Sequence, residues 1–116
     1  MRKLVIHREA ALCGFAQKYY CYINRDRDAF KDELASIPYP DNIGYEANLW
    51  VTNNGTVVMD ISEDAGSIFT VLYSENRNIF SDALDYPAGS EDVFIQIDTI
   101  IRQYYGTAIQ MQLVTD

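Results

Sequence analysis

With 116 residues, 48% of them hydrophobic, the chain can bury one core but has no room for a second, and a core of that size needs neither disulfide nor metal to hold it. A formal net charge of −8 lacks the basic footprint that nucleic-acid binding depends on, so that class of partner is excluded. No stretch approaches the roughly 20 apolar residues of a membrane span, and the apolar run in Met1-Arg2-Lys3-Leu4-Val5-Ile6-His7-Arg8 is too short for a signal peptide. The expectation is a single cytoplasmic domain over residues 1–116 that binds neither nucleic acid nor membrane.

From the N-terminus, Tyr19, Cys21 and Ile23 alternate with Tyr20 and Tyr22, the period-2 pattern of a strand. Phe30, Leu34 and Ile37 then recur at helical spacing. Asp26 or Asp28 can cap the N-terminus and Pro38 stops the run, which predicts one short helix near residues 28–37. Pro38, Pro40, Asn42 and Gly44 punctuate a loop. Alternation resumes with Ala47, Leu49 and Val51 and again with Val57, Met59 and Ile61. Between them, Asn54-Gly55 suits the positive φ angles of a type I′ turn, so a hairpin is expected there. Ser67 to Tyr73 reads as a strand with Phe69, Val71 and Tyr73 inward, and Phe80, Leu84 and Tyr86 as a further extended segment ending at the turn Pro87-Ala88-Gly89. The last quarter carries two periods at once. Val93, Ile97, Ile100 and Tyr104 lie at helical spacing, while Val93/Ile95/Ile97 and Ile109/Met111/Leu113 alternate. Its many β-branched and aromatic residues favour two strands joined around residues 102–106. The fold expected is all-β, a two-layer antiparallel sandwich of about seven or eight strands with the one helix; the alternative is an α+β fold with a C-terminal helix at 91–105.

Ile6-His7-Arg8, then Gly14, then Lys18-Tyr19-Tyr20-Cys21-Tyr22-Ile23-Asn24 resembles the opening of small, functionally unassigned bacterial β-sandwich domains. Those domains begin with an Ile-x-Arg strand, a Gly-containing connection and a Tyr-x-x-Tyr-Ile-Asn strand. Asn54-Gly55 before a strand, the strand from Ser67 to Tyr73, and Pro87-Ala88-Gly89-Ser90-Glu91-Asp92-Val93 leading into a near-terminal strand continue the likeness. Residues 25–44 depart from it, with a charged insertion in place of a compact turn. The resemblance implies a two-layer antiparallel sandwich and no activity.

Chemistry-bearing patterns are sparse. P-loop, dinucleotide, nucleophile-elbow and zincin motifs are absent from the sequence. His7 is the one histidine, and Cys13 and Cys21 are the two cysteines; a Cys–His dyad would have to use them, as would a disulfide. Three such ligands without a Cys-x-x-Cys spacing do not make a zinc site. The run Asp60-Ile61-Ser62-Glu63-Asp64-Ala65-Gly66-Ser67 is rich in oxygen but lacks the EF-hand spacing. No metal and no cofactor are expected. Charge is uneven: residues 1–31 hold seven bases and three acids, the remainder two bases and fourteen acids. Either neighbouring strands offset one another, or an acidic face is offered to a cationic partner. The unusual component is nine tyrosines beside a single tryptophan, residues that combine rigid area with a polar tip. Tyr20, Tyr22 and Trp50 fall opposite the aliphatic positions of their strands and would make one aromatic patch if residues 17–24 and 46–53 are neighbours. The function expected is a non-catalytic interaction module using these three residues to bind a protein partner or a second copy. The alternatives are a small Cys/His-dependent enzyme and a carbohydrate-binding module.

Overall fold

The structure is a computed structural model that describes residues 1–11, 17–74, 77–102 and 106–114, with 101 and 102 described by their backbone alone. In chain order the elements are β1 (Arg2–Arg8), β2 (Tyr19–Ile23), α1 (Arg27–Ala35), β3 (Leu49–Val51), β4 (Thr56–Ile61), β5 (Gly66–Ser74), β6 (Arg77–Phe80), β7 (Leu84–Tyr86), β8 (Val93–Arg102) and β9 (Gly106–Leu113). They form two sheets: β4-β1-β8-β9, and β3-β2-β5-β6 with β7 also paired to β5. The fold is the expected all-β sandwich. The C-terminal helix does not form, because Ile95, Ile97 and Ile109 each need the sheet's inner face.

Two features depart from a plain antiparallel two-layer sandwich. Strands β1 and β8 run parallel, Leu4 opposite Val93 and Ile6 opposite Ile95. A third layer is present as well. Between the sheets lie Leu4 and Ile6 of β1, Tyr19 and Cys21 of β2, Ile68 and Leu72 of β5, and Ile95 and Ile97 of β8. A second cluster, Tyr22, Phe30, Leu34, Phe69 and Val71, lies on the far side of the second sheet. The inward face of β5 is therefore Ile68/Thr70/Leu72, and the expected inward set Phe69/Val71 is buried beneath α1 instead. The helix starts where its chemistry allows: Asp26 accepts from the Ala29 N–H at 2.9 Å, and Phe30 and Leu34 place one buried side chain per turn.

The Asn54-Gly55 hairpin does not form either. β3 pairs with β2 in one sheet and β4 with β1 in the other, so the turn carries the chain across the sandwich. Gly55 N–H donates to Thr52 O at 2.9 Å, which makes Asn53 and Asn54 the central pair. Asn54, at φ 56°, takes the positive φ that a type II turn needs at its third residue. Asn53 Oδ1 and Gly55 O are held by the N–H groups of Ala11 and Arg8, which fixes the turn to the end of β1.

The inward positions of β1 are Arg2, Leu4, Ile6 and Arg8, all buried. Arg2 donates to four backbone carbonyls, those of Ser62, Asp64, Pro87 and Glu91, at 2.7–3.3 Å. It thereby joins the loops after β4 and after β7. Hydrogen bonds from charged donors are the stronger kind. Arg2→Met should lower stability by about 3 kcal/mol by leaving those carbonyls without their donor. A urea melt showing a loss below about 1 kcal/mol would mean that the loops hold themselves.

Candidate interaction surface

The register places Tyr20 of β2 directly opposite Trp50 of β3 on one side and Val71 of β5 on the other, with Phe80 of β6 beyond. The expected neighbourhood of the two strands is thus present, and all four residues lie on the face that α1 shares. Trp50 sits at the sheet edge, 53% exposed, with Lys18 Nζ 4.8 Å from its ring centre, a cation–π contact that leaves the rest of the ring open. Tyr20 is half-buried because the loop after α1 rests on it. Gly44, at φ 68°, approaches so closely that a Cβ there would lie 2.6 Å from the Tyr20 ring.

Tyr22 does not join this surface. It is 1% exposed, its ring 5.0 Å from Phe69 and 4.4 Å from Phe30, and its hydroxyl donates to Tyr45 O at 2.8 Å. Burial raises its pKa, with Arg25 acting the other way. The reason is the charged insertion, which folds back as α1 and lays Phe30 over the position that alternation had left facing outward.

Two tyrosines take its place. Tyr39, 61% exposed, stacks on Tyr73 with ring centres 5.1 Å apart and planes at 16°. Tyr73 follows Val71 by two residues on β5 and so stands diagonal to Tyr20 on the same side. Sequence reasoning missed both. Tyr73 shares the parity of Val71, while Tyr39 lies between two prolines, where a ring has no strand to bury it.

Three of the N-terminal bases are paired with acids. Arg25 bridges Glu33 and Glu46 at 2.6 and 3.0 Å, Arg27 reaches Asp28 and Asp82 at 3.5 and 3.1 Å, and Lys3 pairs with Asp60. The oxygen-rich loop from Asp60 to Ser67 turns the carbonyls of Ser62 and Asp64 toward Arg2, so those oxygens are already engaged.

His7 and Cys21 do not meet. His7 lies on the outer face of the first sheet, Nδ1 2.8 Å from Thr56 Oγ1 and Nε2 3.4 Å from Glu9. Cys21 is a free thiol between the sheets, Sγ 3.8 Å from Thr70 Oγ1. Cys13 lies outside the described residues. Among the described residues no helix is long and apolar enough to cross a membrane. Searches of protein-family models, curated proteins and solved structures find no match to this chain.

Burial pushes the Cys21 thiol up to about 12, the Thr70 hydroxyl pulling slightly the other way. A thiol ionised only near that value is a poor nucleophile at neutral pH. In the folded protein Cys21 should therefore resist iodoacetamide at pH 8, with peptide mapping showing its alkylation only in step with unfolding. The linkage has a definite sign. The unfolded thiol, at the usual 9.0, ionises first, so stability falls as pH rises from about 9 toward 12. Fast alkylation of native Cys21 would contradict its place in the core.

Proposed function

We propose that this chain is a non-catalytic, cytoplasmic interaction module that engages a protein partner through Trp50, Tyr20, Tyr39 and Tyr73. The observation that carries the reading is the exposure of Trp50 and Tyr39 beside an otherwise well-covered aromatic face. Rings held by cross-strand register and by stacking have little side-chain freedom left to lose on binding, which is the property of interface anchors. Flat rings of this kind also suit sugar faces, and the carbohydrate alternative uses the same residues. The enzyme alternative cannot use Cys21, since that thiol and the His7 imidazole lie on different sides of the first sheet.

The test is affinity capture on immobilised protein, followed by calorimetry with the purified partner against wild type, Trp50→Ala and Tyr39→Ala. Each substitution should weaken binding about tenfold or more, the loss typical of an interface anchor. Val58→Ala, at an exposed position on the other sheet, should not. A partner that binds all four proteins equally would sink the proposal, and retention of a polysaccharide alone would replace it with the carbohydrate reading.

A further inference from the structure

Among the described residues, strand β9 is the last strand of its sheet, paired on one side only, with β8. The direction of its backbone groups follows from one bond and the register. Val114 N–H donates to Phe94 O at 2.8 Å, and the pairs run without a break from Ile95 opposite Leu113 to Arg102 opposite Gly106. Residues of an antiparallel ladder bond to their neighbour at every second position. The even-numbered residues of β9 therefore bond to β8, while Thr107, Ile109, Met111 and Leu113 aim their N–H and C=O groups away from it, at the open edge.

Such edges are normally blunted by shortness, charge, proline or a bulge, because an open row of donors and acceptors recruits another strand. The other edges here follow that rule. β3 and β7 have three residues each and β6 has four, one of them Arg77. β4 carries Asp60 in its ion pair with Lys3. β9 has eight residues in unbroken register, and from Gly106 to Val114 there is no charged residue and no proline.

We infer that β9 is a self-pairing edge, joining antiparallel to β9 of a second copy about a two-fold axis at Gln110. The even/odd division of the backbone makes this register complete. Ile109 meets Met111 of the second copy and Thr107 meets Leu113, so every outward N–H and C=O of the four residues finds a partner. On the solvent side Gln110 faces Gln110 and Gln112 faces Ala108. Two-fold pairing sets residues around the axis against their own kind, so a carboxylate near the centre would meet its own image. In a chain of net charge −8, a long edge without a single acid is the feature that selects a second copy over a basic strand from elsewhere.

This interface is separate from the aromatic surface, and the test keeps them apart. Sedimentation of the full chain over a range of concentrations should show a monomer–dimer equilibrium. Gln110→Lys, at an exposed position, should weaken it about tenfold or more through like charges directly opposed. Trp50→Ala should leave it unchanged. In hydrogen exchange, the amides of Thr107, Ile109, Met111 and Leu113 should lose protection on dilution, while those of Ala108, Gln110 and Gln112 keep theirs. A wild-type protein that stays monomeric, amides at the odd positions that are unprotected at every concentration, or a dimer that Trp50→Ala dissociates and Gln110→Lys does not, would each overturn the inference.

Discussion

Strand β5 buries five consecutive side chains, Ile68 through Leu72, and a strand can do so only with a packed layer on each face. The first sheet supplies one layer, through Leu4, Ile6, Ile95 and Ile97. The other has to come from elsewhere, and it comes from the insertion between β2 and β3. A helix as short as α1 is marginal on its own in water. Phe30 and Leu34 hold it in place by covering Tyr22 and Phe69, each burial contributing about 1.5–3 kcal/mol. Helix and sheet face therefore stabilise one another. The cover also has a boundary. It reaches as far as Gly44 on Tyr20 and Ala47 beside it, and Trp50 is what lies past its end.

The polar groups inside the sandwich serve the same architecture. Arg8 lies with its guanidinium 3.5 Å from the Tyr19 ring centre and donates to the carbonyls of Gln17 and Val51, doing at one end of β1 what Arg2 does at the other. Desolvation lowers the Arg8 pKa, with Tyr19 opposing that shift. At the centre, Thr70 N–H donates to Ser81 Oγ at 2.7 Å and Thr70 Oγ1 donates to Met111 Sδ at 3.2 Å, tying the middle strand to the connection after β6 and to the far sheet. Arg8, Thr70 and Ser81 thus have their polar groups engaged by backbone groups, by one another and by Met111.

Much of the sandwich was legible because alternation is a local signal. Tyr19/Cys21/Ile23 and Val57/Met59/Ile61 could be assigned from their own spacing, and so could the helix from Phe30 and Leu34. What alternation cannot say is which face a neighbouring element will cover. Tyr20 and Tyr22 share a parity, yet one stands at the margin of the cover and the other beneath it, because α1 lands on Tyr22. The same gap explains β5, where both parities are apolar and the pattern alone could not rank them. Asn54-Gly55 misled for a different reason. Asn can itself take a positive φ, and with Asn54 in that role the turn shifts by one residue and sends the chain between sheets. The parallel pairing of β1 with β8 joins residues some ninety positions apart, a distance over which local patterns are silent.

Trp50 and the β9 edge stand at opposite flanks of the sandwich, and that placement follows from the topology. β3 is one edge of the second sheet and lies beside β4, while β9 is an edge of the first sheet and lies over β6. Trp50 belongs to the β3 flank and the uncharged edge to the other. The molecule is 40 Å along its longest axis and 30 Å along the next, large enough that strands added at β9 need not crowd Trp50. A pair joined at β9 would carry two copies of Trp50 on its outer flanks. Two weak contacts made together on a multivalent partner bind far more tightly than either alone, since the second is an intramolecular event. For a module whose rings expose only a small contact area, pairing through the backbone edge is a physical route to useful affinity without enlarging the surface itself.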